Sequence, residues 1–207
     1  MSESLPRSFS LKIEYSDIAT ENYELRKLIL RQKQFESTLH IILKVLSYIY
    51  FWDKELIIEP NFRYRNYRPD LIVWRKGEIS SEDLVPDLWI ECKRVKLSKI
   101  FKLARGLTRT MIVWIHKLHS LEKVLKSVQR KQKYKPPVNV QLIGINASAH
   151  TWNYLSESFS LKLPHWRIIC FDKKSLKIFI RDLEYTHLDS IIRFIPFSRN
   201  DSSIQNE

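Results

Sequence analysis

Two carboxylates and a lysine stand at a spacing that suits metal-dependent hydrolysis of a phosphodiester. Asp70 follows Pro69 at the start of the apolar segment DLIVW, and Glu91 lies 21 residues later inside LWIEC. Lys93 follows Glu91 by two positions, and residues i and i+2 of a β-strand point to the same face. If the two segments are neighbouring strands, Asp70 and Glu91 can share Mg²⁺ or Mn²⁺. Such a hard cation takes oxygen ligands, often one or two carboxylates, and keeps several waters.

Each group of this cluster has a predicted role and a simpler alternative. The backbone carbonyl of Cys92 can supply a further oxygen ligand. Lys93 can orient or deprotonate the attacking water, or neutralise charge on the phosphate. The alternatives are a cross-strand salt bridge between Glu91 and Lys93 and, for Asp70, a turn carboxylate after proline. Asp87 is a rival partner for Glu91, but both lie on one strand, so Asp70 is preferred.

The spacing of apolar residues predicts the elements that position these groups. A helix is expected to start at residues 32–34 and to carry Glu36 in its first turn. The expected strands cover 9–15, 55–59, 70–74, 88–92, 110–115 and 138–145, with a hairpin over 165–181. Further helices are expected over 96–105, 118–131 and 188–194, whereas 23–30 reads as a strand or a short helix. This order predicts an α/β (α+β) fold, with a central mixed β-sheet flanked by helices and a core of order αβββαβ.

Length and composition fit one domain that binds nucleic acid. Residues 1–197 of the 207 are expected to form this domain, and the polar residues 198–207 a disordered tail. Three dispersed glycines exclude Walker A and dinucleotide-binding loops, and two cysteines exclude a four-thiolate zinc site. The sequence shows no secretory pattern and no apolar segment long enough to span a bilayer. A cytoplasmic protein without membrane contact is therefore expected.

The excess positive charge is concentrated in one segment. Of the formal net charge of +12, residues 93–135 contribute +13, because they hold 14 Lys or Arg and a single acid, Glu122. Such a block predicts contact with phosphate backbones, although a solvated basic face is the alternative. Lys126 and Arg130 lie in its second helix, which could follow a nucleic-acid backbone or simply dock by its apolar face.

A second candidate surface precedes Asp70. Residues 63–68 read RYRNYR and interleave Arg63, Arg65 and Arg68 with tyrosines. Arginines can contact phosphates while aromatic rings stack on bases. The alternative is a solvated loop whose tyrosines cover the edge of the core.

Pro69-Asp70 and Glu91-Cys92-Lys93 resemble the motif of the PD-(D/E)XK nuclease superfamily. The order of elements is also similar, since a helix with an acid precedes three strands and a basic helix follows them. The resemblance implies a restriction-endonuclease-like core in which Glu36 joins the metal site. It also implies that Lys99 or Lys102 of the following helix contacts phosphate, and Arg105 extends the same basic helix.

The chain is also similar to the YaeQ family, a bacterial branch of this superfamily, over residues 9–180. The matching segments are FSLKIEYSDI, FESTLHIILKVLSYI and, most specifically, DLWIECKRVKLSKIFKLA. Members of the family lack the plain lysine at the position of Lys93, so its presence here departs from the family and favours a competent site. The resemblance implies a Mg²⁺- or Mn²⁺-dependent nuclease, with DNA favoured over RNA. The alternative is a catalytically inactive nuclease fold that binds nucleic acid or a protein partner.

Overall fold

The structure is a computed structural model, and it describes residues 7–52, 54–75, 85–92, 96–129, 137–161, 164–172, 175–180 and 191–197. Three of the sequence predictions fall outside these described residues: the lysine at position 93, the arginine at position 130 and the tail over 198–207. None of the helices in the described ranges is long and apolar enough to cross a membrane.

The described residues form ten strands and four helices. In chain order they are β1 (Arg7–Asp17), β2 (Asn22–Gln32), α1 (Thr38–Tyr50), β3 (Ile57–Ile58), β4 (Leu71–Trp74), β5 (Pro86–Cys92), α2 (Leu97–Gly106), β6 (Met111–Lys117), α3 (Leu118–Gln129), β7 (Val140–Asn146), α4 (Ala149–Ser158), β8 (His165–Asp172), β9 (Ser175–Ile180) and β10 (Ile191–Phe197).

The predicted fold class is wrong. The protein is dominated by strands, and its four helices of 10–13 residues do not flank a central sheet in an αβββαβ core. The predicted core omitted the long β1–β2 hairpin, and residues 191–194 of the helix expected over 188–194 belong instead to β10. The segment IIRFIPF alternates buried and exposed side chains, with Ile192 and Phe194 inside, which is the period of a strand.

The chain divides into two compact units, and the first comprises residues 1–42 and 146–194. Its strands lie in the order β2-β1-β8-β9-β10. β1 runs antiparallel to β2 along its whole length and parallel to β8. Leu11 and Ile13 of β1 and Trp166 and Ile168 of β8 are fully buried, so one face of these strands is the core of the unit. The Nε1 of Trp166 donates to the Oγ of Ser158 in α4 (3.1 Å).

The second unit comprises residues 43–145 and 195–207, and it contains α1 from Leu43 onward. Its strands lie in the order β7-β6-β5-β4-β3. β5, β6 and β7 are parallel, whereas β3 and β4 are antiparallel to their neighbours. Trp89 of β5 and Trp114 of β6 are buried in the core of this unit. α2 packs on the same core through Ile100 and Leu103 because its apolar residues recur at helical spacing.

One asparagine side chain completes the C-terminal end of α2. The Nδ2 of Asn139 donates to the carbonyl oxygens of Ala104 (3.0 Å), Leu107 (2.9 Å) and Thr110 (2.9 Å). The last carbonyls of a helix have no partner inside the helix. Asn139 supplies one here and thereby fixes α2 against the start of β7.

Candidate active site

The two carboxylates predicted from the sequence meet where β4 and β5 pair. The antiparallel ladder ends with the pairing of Leu71 and Ile90, and Asp70 stands one residue before β4. The backbone N of Asp70 donates to the carbonyl of Ile90 (3.0 Å), and its Oδ2 accepts from the backbone N of Cys92, the residue after Glu91 (2.8 Å). The charge of Asp70 raises the pKa of Glu91, so the two carboxylates lie close enough to interact. The fold therefore brings Asp70 and Glu91 together.

Glu91 is buried beside both a cation and a second acid. Its Oε1 accepts from the Nζ of Lys99 (2.7 Å) and from the Nε1 of Trp89 (2.9 Å). Burial is the largest influence and raises the pKa of Glu91. The charge and hydrogen bond of Lys99 lower it, and the charge of Asp70 raises it again, so that the pKa of Glu91 stays above its ordinary value.

This pair of carboxylates fits a hard divalent cation. Mg²⁺ commonly uses one or two carboxylates and completes its shell with water. Asp70 and Glu91 repel each other when both are ionised, and a cation between them would stabilise both charges. Within the described residues, no group of three or more His, Cys, Asp or Glu side chains is arranged to hold a metal ion. A cation at this site would therefore rely on water for most of its ligands.

The Cys92 side chain is not available for chemistry. Its Sγ lies 3.3 Å from the Oγ of Ser47, which donates to the carbonyl of Leu43 in α1 (2.7 Å). Burial raises the pKa of the Cys92 thiol well above its usual range. The thiol is protonated at neutral pH and acts as a small core residue. A metal contact through the Cys92 carbonyl remains a prediction.

Sequence reasoning missed a buried ion pair next to this site. Lys44 of α1 is 0% exposed and pairs with Glu59, which follows β3. Glu59 adopts a positive φ of 51°, and its backbone N donates to the carbonyl of Asp70 (2.8 Å). A lysine inside the apolar run IILKVL requires a partner, so the sequence indicates that Lys44 is paired. It does not indicate that the partner is Glu59, because the pairing depends on the left-handed turn at Glu59.

Basic side chains from two distant segments gather beside α2. Arg65, Lys102 and Arg105 line a depression of about 410 Å³. The ring centre of Tyr67 lies 5.4 Å from the Nζ of Lys99 and 5.9 Å from that of Lys102, within the range of cation–π contacts. The structure thus brings α2 and the segment over 63–68 together.

The turn that carries Arg65 is held against the end of α2. Tyr64 and Tyr67 exchange two backbone hydrogen bonds of 3.0 Å, and Arg65 between them has a positive φ of 54°. The Tyr64 hydroxyl donates to the carbonyl of Gly106 (3.2 Å). A Cβ on Gly106 would lie 2.4 Å from the Tyr64 Oη, so this contact requires glycine.

The remaining predicted residues lie elsewhere. Arg63 and Arg68 are exposed beside the turn at Arg65, and Lys126 is exposed in the last turn of α3. Nothing in the described structure places these three side chains against the carboxylates.

The predicted position of Glu36 is wrong. α1 begins at Thr38, because β2 continues through Gln32 and the Oγ of Ser37 accepts from the backbone N of His40 (3.4 Å) as a helix cap. Glu36 lies before the helix, in the first unit. Its Oε2 accepts from the backbone N of Lys33 (3.0 Å), and its Oε1 lies 2.6 Å from the Nδ1 of His40. Its metal role stays a prediction.

Comparison with known proteins identifies the fold. No protein-family model and no curated protein matches the chain. A crystal structure of a YaeQ protein from Xanthomonas axonopodis pv. citri matches with a TM-score of 0.63 and 18% identity, covering 91% of this chain and 96% of that one. A YaeQ protein from Pseudomonas syringae matches with a TM-score of 0.62 and 13% identity, covering 92% and 95%. The chain therefore has the fold of the YaeQ proteins.

Proposed function

We propose that the chain is a metal-dependent nuclease of a YaeQ-like branch of the PD-(D/E)XK superfamily, with its active site at Asp70 and Glu91. The observation that carries the proposal is the position of Asp70 beside Glu91 where β4 and β5 pair, with the Asp70 Oδ2 hydrogen-bonded to the backbone N of Cys92 (2.8 Å). Two carboxylates so close disfavour ionisation unless a positive charge compensates them. A divalent cation is the compensation that also supplies hydrolytic chemistry.

In this proposal each described side chain of the site has a separate role at the phosphate. Asp70 and Glu91 hold Mg²⁺ or Mn²⁺, which supplies Lewis-acid activation of water and of the phosphate. Lys99 favours the ionised form of Glu91, because its charge and hydrogen bond lower the pKa of that carboxyl. Lys102 and Arg105 neutralise neighbouring phosphates. The role of Lys93, which lies outside the described residues, remains that of orienting or deprotonating the attacking water.

A second candidate function is binding of nucleic acid without cleavage. The observation that favours it is that Glu91 already receives two hydrogen bonds on Oε1, one of them from the Lys99 ammonium. An ammonium can compensate a buried carboxylate without any metal. In that case Asp70 and Glu91 stabilise the sheet end while Lys102 and Arg105 contact phosphates.

The test is a cleavage assay on duplex DNA, single-stranded DNA and RNA, with Mn²⁺, with Mg²⁺ and with EDTA. Asp70→Asn should lower metal-dependent cleavage by more than about 100-fold. Loss of a residue that only supports a metal ligand costs about 10–100-fold in metal affinity or activity, and loss of a direct ligand should cost more. Circular dichroism and thermal unfolding of each variant show that the fold is retained.

Asp87→Asn is the matched control for this assay. Asp87 also follows a proline, but it is exposed and pairs with the Nε of Arg75 (2.8 Å). It lies four residues before Glu91 on β5, or about 13 Å along the strand, so it cannot share a cation with Glu91. Activity should survive in this variant. Equal losses in both variants would exclude the proposed site. Salt-dependent binding without cleavage by the unaltered protein would establish the second candidate instead.

A further inference from the structure

The first unit carries a sheet face that is not its core. The pairing of β1 with β2 and β8, and of β9 with β8 and β10, determines which residues share this face. They are the even residues 8–16 of β1, the odd residues 23–31 of β2, 165–169 of β8 and 175–179 of β9, residue 172 of β8 beyond its bulge, and residues 191 and 193 of β10. The fully buried side chains of these strands, such as Leu11, Ile13 and Trp166, lie on the other face.

Large apolar side chains on this face are exposed to solvent. On β2, Tyr23 is 62% exposed, Leu25 54% and Ile29 68%. Phe179 of β9 and Ile191 of β10 are exposed on the same face. Single exposed apolar residues are ordinary, but a group of them on one sheet face marks an interaction surface.

The same face is strongly basic. Its cations come from all five strands: Lys12, Lys27, Arg31, Arg167, Lys177 and Arg193. Two carboxylates occupy positions on this face of the described strands: Asp172, which lies opposite Ser175 and accepts from its backbone N (2.8 Å), and Glu14, which is 8% exposed. Its Oε1 lies 2.9 Å from the Nε2 of His165 and 3.7 Å from the Nζ of Lys12. The accessible charge of the face is therefore positive, and it complements an anionic partner.

Charged and apolar side chains are mixed along rows that cross the strands. One row runs from Leu25 through Glu14 and Arg167 to Phe179. In that region the Nζ of Lys177 lies 5.0 Å from the ring centre of Phe179. A helix or patch that binds membranes separates its apolar residues from its basic ones. Here they are mixed, as bases and phosphates are mixed along a nucleic-acid strand.

We propose that this face binds single-stranded nucleic acid. Unpaired bases stack on the exposed rings of Tyr23 and Phe179, while Lys27, Arg167 and Lys177 contact the phosphates. A duplex would not use the rings in this way, because its bases are already stacked. Five strands spaced about 4.8 Å apart give a platform about 19 Å wide. The surface lies within the first unit and uses neither Asp70 nor Glu91, so it does not depend on the proposed nuclease activity.

The test is fluorescence anisotropy of the full chain with labelled oligothymidine and oligouridine of about 16 nucleotides. All titrations contain EDTA and use the Asp70→Asn background, so that cleavage cannot consume the probe. Tyr23→Ala should weaken binding between about 5-fold and about 150-fold, the range for loss of one stacked base. Arg167→Gln should reduce the slope of log affinity against log salt by about 0.7, the value for one phosphate contact to a single strand.

Two control variants change the same side-chain types away from this face. Phe35→Ala removes an aromatic ring that is 92% exposed in the turn before α1, and Lys54→Gln removes an exposed cation of the second unit. Both should leave affinity within about 2-fold, the effect of less than 0.5 kcal/mol expected of ordinary surface substitutions. Equal losses in controls and face variants would overturn the proposal, as would tighter binding to duplex DNA or to anionic vesicles than to the single strand. Loss of cleavage in the Asp70→Asn background with retained binding would separate this surface from the nuclease site.

Discussion

Two pairs of charged side chains lie near β4 and β5 of the second unit, and one pair has opposite charges whereas the other has like charges. Lys44 and Glu59 carry opposite charges and form a buried ion pair. Asp70 and Glu91 carry the same charge, and the charge of Asp70 disfavours ionisation of Glu91. The first pair satisfies itself, whereas in the second Glu91 takes its compensating charge from Lys99 of α2 (2.7 Å).

A hydrogen bond between backbones connects these two pairs. The N of Glu59 donates to the carbonyl of Asp70 (2.8 Å), so the residue that satisfies Lys44 also holds the strand end at which Asp70 begins. The opposite-charge pair is thus part of the support for the like-charge pair. The comparison teaches that a buried pair of opposite charges indicates structure, whereas two acids held close together, one with a raised pKa, mark a candidate site.

The largest expected effect comes from breaking the self-satisfied pair. Glu59→Gln leaves the fully buried Lys44 ammonium without the charge of its partner, and removal of one member of a buried pair costs about 3–5 kcal/mol. Urea unfolding should show this loss in the free energy of unfolding. Glu55→Gln, an exposed acid in the same segment, is the control and should change it by less than about 0.5 kcal/mol. A small effect at Glu59 would mean that Lys44 is neutral in the fold.

The like-charge pair should respond to metal. At a free concentration of Mn²⁺ 100 times its Kd, binding to the folded state alone should raise the free energy of unfolding by about 2.7 kcal/mol. Thermal unfolding with and without Mn²⁺ measures this shift. Asp70→Asn should abolish it, while Asp87→Asn should keep it. An unaltered protein that Mn²⁺ does not stabilise would contradict a metal site at this pair.

Glu91→Gln should stabilise the protein while it removes activity. Folding raises the pKa of Glu91, so the carboxyl contributes most to stability below its ordinary pKa, and that contribution is lost as pH rises through its folded value. As pH rises, the free energy of unfolding of the variant should therefore increase relative to that of the unaltered protein, and the difference should reach about 0.5–2 kcal/mol at neutral pH. Urea unfolding at several pH values measures the difference. A difference in the free energy of unfolding that does not change with pH would mean that folding does not raise the pKa of Glu91.

The smallest expected effect concerns the contact between Gly106 and the turn that carries Arg65. Gly106→Ala places a Cβ against Tyr64, which displaces the turn that carries Arg65. The clash is partly offset because alanine favours a helix over glycine, so the net loss should be below about 1 kcal/mol. Tyr64→Phe removes the nearest atom and should restore part of the loss in the double variant. Additive effects of the two substitutions in urea unfolding would show that the contact does not hold the turn.

Local patterns predicted the strands of the site well but not its surroundings. Pro69-Asp70 and the apolar run before Glu91 mark two strands whose ends carry acids, and the structure pairs those strands as expected. α2 likewise begins and ends within one residue of the prediction, because its apolar residues recur at helical spacing. The pairing of Lys44 with Glu59 could not be read in this way, since it depends on a backbone turn that no local pattern signals.

The prediction of the fold class was wrong for a related reason. Periodicity identified β1 and β8 as strands but not their pairing, because β8 begins at His165, far along the chain from β1. Strand order is a property of long-range contacts, which a local period does not contain. α4 went unnoticed although Ser148 carries a capping signal: its Oγ accepts from the backbone N of Thr151 (3.0 Å).

The amide of Asn139 also has a consequence for the order in which the chain is made. Synthesis proceeds from the N-terminus, so all of α2 has been made before Asn139 is added. At about 5–20 residues per second, the interval between Gly106 and Asn139 lasts roughly two to seven seconds. During that time the carbonyls of Ala104 and Leu107 lack the partner that Asn139 later supplies. The helix that carries Lys99 and Lys102 therefore acquires its final C-terminal partner only after translation has reached the residue before β7.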